Sequence, residues 1–157
     1  MIEIERKFLV IPDAWPRSEE KITMRQGYLS DQDGLVCRVR QKNEAFYLSL
    51  KARIDSLSSY DYEYLIPAED GLTMLNHICT ATPVSKVRHI VRLEGLVWEV
   101  DVFDDLNQGL IVAEVELPSA SHTFALPEWI DSEITQDLRY RNSALYKNPW
   151  TQWSENR

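Results

Sequence analysis

The sequence predicts an α+β chain, mainly β, whose roughly eight antiparallel strands can close into a barrel with a few flanking helices. Three observations predict it. Runs with strand character recur from end to end, at 1–10, 22–29, 35–43, 45–52, 59–66, 84–93, 96–103 and 110–117. Turn signals fall between several of them: Asp33-Gly34, Asn43-Glu44, Gly95 and Asn107-Gln108-Gly109. Few Pro or Gly residues fall inside the runs, and a series of antiparallel strands removes its exposed edges by closing on itself.

The helical signals are shorter. One spans 68–78, where Leu72, Leu75 and Ile78 share a face; a weaker one lies near 119–125; a third runs from Arg139 to Tyr146, opening after Asp137. The last ten residues have the composition of a loose tail, so one domain is expected over 1–146 with a tail at 147–157. At 157 residues, with 44% hydrophobic side chains, the chain is long enough to bury a core of its own. A net charge of −8 argues against a general nucleic-acid or anionic-membrane partner, and any phosphate site must be local. No run approaches the ~20 apolar residues of a spanning helix. A strand starting at residue 2, with Glu3 in it, is unlike a signal peptide, so a soluble, cytoplasmic protein is expected. Cys37 and Cys79 lie far apart outside any metal or redox spacing and are expected to be buried free thiols.

The charged residues are ordered within the strands. Residues i, i+2 and i+4 of a strand share a face, so Glu3, Glu5 and Lys7 project together, opposite Ile2, Ile4 and Phe8. Acid pairs with the same spacing return as Asp61/Glu63, Glu99/Asp101 and Glu114/Glu116, and basic pairs as Arg38/Arg40, Lys51/Arg53 and Lys86/Arg88. An ordinary solvated face mixes signs so that unlike charges oppose each other, whereas here each segment is nearly of one sign. Sorted signs suggest two walls facing each other. The residues leave their side of the barrel open. If the charges point outward, Val39, Leu48, Leu50, Val100, Val102 and Val115 fill a small apolar bore. If they point inward, those residues pack outside under helices, with Trp98, Tyr62 and Tyr64 adding bulk. The charged bore then needs water, mutual pairing or a strongly charged ligand to offset its burial.

An ordered set of motifs carries a family resemblance: EIERKFLV at 3–10, QGYL at 26–29, CRVR at 37–40, LSLK at 48–51, the Asp61/Glu63 pair, KVR at 86–88, WEVDVF at 98–103, AEVEL at 113–117 and EITQDLRYRN at 133–142. In this order they resemble the small bacterial triphosphate tunnel metalloenzymes of the CYTH superfamily, over about 1–146. The resemblance implies a closed eight-stranded antiparallel tunnel with charges inward, and a divalent-metal-dependent reaction on a triphosphate. It implies that Lys7, Arg38, Arg40, Lys51, Lys86 and Arg88 clamp phosphate oxygens, with Arg25 and Arg53 as outlying members. Glu3, Glu5, Asp101, Glu114 and Glu116 are the implied ligands of Mg²⁺ or Mn²⁺, followed by Glu99, Asp61 and Glu63, the last two also able to anchor the opposite wall. Glu5, Lys7, Asp101, Glu116, Lys86 and Tyr28 are placed nearest the chemistry, Tyr28 through the QGYL motif. The segment 137–146 resembles a helix that closes one tunnel end, from which Arg139 or Arg141 reaches inward or stays at the surface.

The chain departs from the family pattern at Ser59, where relatives often carry Arg; at Asp61, where they carry Glu; at His89, where Tyr is usual; and at Asp131, where Gly is common. His77, His89 and His122 are expected to be structural. Inorganic triphosphate is the favoured substrate, because the compact chain has no obvious insertion to recognise a base or a thiamine ring. The alternatives are a CYTH-type adenylate cyclase, a nucleoside or thiamine triphosphatase using Trp15, Phe46, Tyr47 or Trp129 as an aromatic pocket, and a non-catalytic polyphosphate-binding module. A homodimer remains open.

Overall fold

Strand period and turn geometry together build one closed sheet. In the computed structural model, which describes residues 1–153, nine strands form: β1 (Ile2–Val10), β2 (Lys21–Gln32), β3 (Leu35–Lys42), β4 (Ala45–Arg53), β5 (Ser58–Ile66), β6 (Val84–Leu93), β7 (Leu96–Phe103), β8 (Ile111–Glu116) and β9 (Ile130–Glu133). The order is β5-β4-β3-β2-β6-β7-β8-β1-β9, every pairing is antiparallel, and a β1–β5 pairing closes an eight-stranded barrel. β9, which the sequence did not signal, is a short addition. It pairs with Phe8–Val10 of β1, while Ile2–Ile4 pairs with β5. The β2–β3 and β6–β7 hairpins turn on Asp33-Gly34 and Glu94-Gly95, all four at positive φ. That is the two-residue geometry whose twist matches its flanking strands, and Gly enters it without a Cβ penalty.

The charged columns face inward. Phe8, Val10, Val91, Trp98, Val100, Ala113, Val115, Leu117 and Trp129 form one outer cluster, with Trp15 and Phe124 laid over it from the flanking loops. The expected helix at 119–125 is instead a loop that places Phe124 edge-on to Phe8 and Trp98, so its apolar residue is used without helical periodicity. Tyr62 and Tyr64 add no covered bulk and remain 45% and 59% exposed. Cys37 and Cys79 are free, as expected, but only half-buried.

The helix expected at 68–78 divides into α1 (Ala68–Thr73) and one π-turn over Met74–Ile78, closed by the Cys79 N–H on the Met74 carbonyl. The wider turn rotates side chains off the expected stripe. Leu75 is buried against Val39 and Phe46, whereas Leu72 and Ile78 are exposed. Gly71 takes Leu72's expected place, since a Cβ there would stand 2.3 Å from the Phe46 ring.

The C-terminal helix α2 covers Asn142–Lys147, preceded by a 3-10 turn at Leu138–Tyr140. It seats Leu145 and Tyr146 among Tyr28, Val84, Phe103, Leu110 and Val112, closing one end of the barrel. Residues 147–153, expected to be loose, continue this closure: Trp150 packs tilted and Trp153 edge-on against Tyr140, and Trp153 is buried. Residues 154–157 of the expected tail lie outside the described residues.

Candidate functional site: a charged tunnel

A cavity of about 650 Å³ runs inside the barrel. Its lining includes Glu3, Glu5, Lys7, Tyr28, Arg38, Arg40, Lys51, Arg53, Asp61, Glu63, Arg88, Glu99, Glu114 and Glu116. Strand parity places them there, because β1 offers its odd residues, β3 its Arg38 and Arg40, and β8 its Glu114 and Glu116. Register then sets neighbours: Glu5 lies across from Glu116 and Lys7 from Glu114. Two carboxylates on facing positions repel unless a cation stands near.

Part of the lining is already neutral. Asp101 is fully buried and holds Lys86 at 2.5 Å and Arg88 at 2.7 Å. Arg88 continues to Glu114 at 3.1 Å and to Glu99, and Glu114 also holds Lys7 at 2.6 Å. Burial pushes the Asp101 and Glu114 carboxyls up, but the surrounding Arg88, Lys86 and Lys7 outweigh it and hold both below the ordinary range. Lys7 and Arg88 shift upward, since their acids outweigh the burial that disfavours charge. Lys86 goes the other way, to about 8, because complete burial and the like charges of Arg88 and Arg40 exceed what Asp101 returns. Glu99 is raised, chiefly by burial.

The rest of the lining is mostly paired at longer range. Arg38 donates to Ser49 at 2.7 Å and Arg40 to Gln26 at 3.0 Å, both neutral and both fully buried. Their nearest acids are looser, Asp61 at 3.5 Å from Arg38 and Glu63 at 3.6 Å from Arg40. Glu63 has its tight partner in Lys42, at 2.5 Å. Burial and the neighbouring Arg38 and Arg88 lower Arg40 to about 10. Opposite, Glu3 and Glu5 share Lys51 at 3.4 Å each, and burial together with Asp61 and Glu5 raises the Glu3 carboxyl despite that lysine. Among the described residues no three acid, His or Cys side chains converge as an ion would require. Lys51 and Lys7 lie between the carboxylates. The donor set nonetheless suits a hard divalent cation: Glu3, Glu5 and Glu116 offer partly exposed carboxylate oxygens on adjoining strands, with no thiol or imidazole in the lining.

Several expected positions need correction. Arg25 points outward, because Met24, Gln26 and Tyr28 take the inward parity of β2; it lines a separate surface groove with Asp104 and Asp105. Asp101 and Lys86 lie on the inner face yet beneath the cavity wall, both sealed from solvent, so neither presents a free atom to the lumen. Arg53 lines the mouth, and Tyr28 accepts from Gln26 at 2.7 Å, leaving its own O–H free to donate. Gln26, Ser49, Thr135 and Asn142 were not signalled, although Gln26 and Ser49 sit at inward parity inside QGYL and LSLK. Of the proposed aromatic pocket, Trp129 and Phe46 are outer core and Trp15 packs on His89; none of the four, Tyr47 included, lines the cavity.

A closed antiparallel barrel with sorted charges inside defines a tunnel-type, anion-binding β-protein. The chain belongs to the CYTH domain family, whose model matches residues 1–144. It is 39% identical over 153 residues to an inorganic triphosphatase of Acetivibrio thermocellus, covering 98% of both chains. To an inorganic triphosphatase of Nitrosomonas europaea it is 37% identical over 153 residues, covering 92% of this chain and 97% of that one. Its fold matches the crystal structure of the inorganic triphosphatase NE1496 with a TM-score of 0.69 at 33% identity, covering 92% and 93% of the two chains.

Proposed function

We propose that the protein is a divalent-metal-dependent inorganic triphosphatase, hydrolysing the terminal phosphate of tripolyphosphate inside the barrel. One observation carries the reading: arginines held by neutral Ser49 and Gln26 keep their charge for an anion, facing acids that keep theirs for a cation. Triphosphate hydrolysis needs its negative charge spread and a water placed in line with the leaving pyrophosphate. Arg38, Arg40, Lys51 and Arg53 clamp the oxygens, and Lys7 and Arg88 neutralise from the side where they are anchored. Tyr28 donates its hydroxyl proton to a phosphate oxygen. Glu3, Glu5 and Glu116 hold the metal, with Glu114, Glu99, Asp61 and Glu63 behind them. When bound, Mg²⁺ or Mn²⁺ supplies Lewis-acid polarisation of the phosphoryl oxygens. Asp101 and Lys86 act as positioning residues that fix Arg88. Tyr28 is the single aromatic of the cavity lining among the described residues, which favours an inorganic substrate over one bearing a base or thiamine.

Phosphate release from tripolyphosphate, ATP and thiamine triphosphate, each with Mg²⁺ and with Mn²⁺ and with cyclic nucleotide followed in parallel, tests the reading. Tripolyphosphate is expected to be turned over with the highest kcat/KM. A faster organic substrate, a cyclic product, or binding without turnover would replace it.

A further inference from the structure

The C-terminal closure brings a cation into the cavity that the barrel does not satisfy. Arg141, the residue before α2, lines the cavity together with Asp137, Asn142 and Ser143. Unlike Lys86, Arg141 is only half-buried, and its Nη2, turned away from solvent, has no hydrogen-bond partner among the described residues. Two residues earlier, Arg139 is tied to Asp137 at 2.7 Å and lies over the Tyr140 and Trp153 rings. At the far end of α2, Lys147 is tied to Asp31 at 3.1 Å. Arg141 has no freedom to swing away with its backbone. Its carbonyl accepts from the Leu145 N–H at 2.8 Å, Leu145 is fully buried in the end cluster, and Asn142 accepts from Lys86 at 3.2 Å.

A guanidinium N–H shut away from water without an acceptor costs folding free energy, and such a group is retained where a ligand completes it. The cavity that Arg141 lines is the one whose wall arginines suit phosphate oxygens, and a fork of donors suits such oxygens better than any other side chain. We infer that Arg141 is a further phosphate-binding residue, donating from the C-terminal closure to the triphosphate oxygens nearest α2; the inference rests on the triphosphate reading of the cavity. The anion is then held from two sources, the β3 arginines in the wall and Arg141 in the end closure. Binding completes the hydrogen bonding of the closure itself.

The test compares wild type with R141M, which keeps an unbranched side chain and removes the charge, and with R141Q should R141M fold poorly. Calorimetry with tripolyphosphate in the absence of metal reads the clamp apart from chemistry. Affinity is expected to fall about 10-fold or more, as for loss of a charge-assisted hydrogen bond, with R141K recovering part. The thermal midpoint of the ligand-free variant is expected to stay level or rise, because an unsatisfied buried cation has been removed. Unchanged affinity, or a lowered ligand-free midpoint without an affinity change, would overturn the assignment. The two readings separate: wild type that binds tripolyphosphate but releases no phosphate with either metal sinks the triphosphatase and keeps the clamp. Wild type that hydrolyses it while R141M binds equally well sinks the clamp alone.

Discussion

Asp101 and Glu5 carry the same charge on the inner face of the same barrel, yet their surroundings put them in opposite states. Asp101 is enclosed by Lys86 and Arg88 with no access to the lumen, while Glu5 faces Glu116 across the strand pair with only shared, longer contacts to Lys51 at 3.4 Å and Lys7 at 4.0 Å. The first is a completed ion cluster and the second an incomplete one. Charge alone therefore does not make a ligand in this barrel. What distinguishes the two is how many donors each carboxylate has already accepted.

The largest expected effect breaks the completed cluster. Asp101→Asn should lower stability in chemical denaturation by roughly 3–5 kcal/mol, because it leaves Arg88 and Lys86 buried without their counter-charge. Denaturation midpoints that match wild type would erase the distinction between the two regions. Next comes the incomplete side: Glu5→Gln or Glu116→Gln should reduce metal-dependent phosphate release by at least about 100-fold while leaving the fold intact, since removing one of two facing acids relieves repulsion. Near-normal turnover would show that neither holds the metal.

A smaller effect sharpens the role of the neutral anchors. Ser49→Ala should raise KM for tripolyphosphate about 10-fold with little change in Tm, because Arg38 loses the contact that aims it and keeps Asp61. A KM equal to wild type would leave Ser49 as mere packing.

The smallest effect is in the pH profile. Lys86 has a folded pKa of about 8 against 10.5 unfolded, so between these values the unfolded chain binds more protons and stability contributed by this group rises with pH. Lys7 has the opposite sign, its contribution being present below 10.5 and lost only as pH climbs through its raised folded value. Between about pH 8 and 10 the rise should belong to Lys86. Lys86→Met should flatten it in denaturation series across that range, and an unchanged slope would place the titration elsewhere. Over the same range triphosphate affinity should weaken in the wild type as the positive charge beneath Arg88 is lost.

Much of the barrel was legible because the strand period is local. Eight strands follow from alternation and turn residues, and β9 was missed because four residues between polar loops carry too little pattern. The inward column Glu3, Glu5, Lys7 could be read as one face from its spacing. Arg25 was misplaced because it lies in the right strand at the wrong parity, one residue from Met24 and Gln26. Helix 68–78 was placed correctly but faced wrongly, since no periodic rule foresees that a π-turn after Gly71 redirects Ile78. The C-terminal tryptophans looked loose because their partners Tyr140 and Asn107 lie elsewhere in the chain.

By itself the sequence determined that charged residues share strand faces, nearly one sign to a segment, and that the strands are antiparallel, because both depend on neighbours within a few residues; that a polyanion with a cation fits them followed from the resemblance its ordered motifs carry. Only the tertiary structure decided which charges cancel. Whether Asp101 is sealed, Arg40 held by neutral Gln26 with only a loose ion pair to Glu63, or Arg141 stranded at the end closure depends on donors and acceptors brought together by ring closure from distant strands, and on the water that closure excludes.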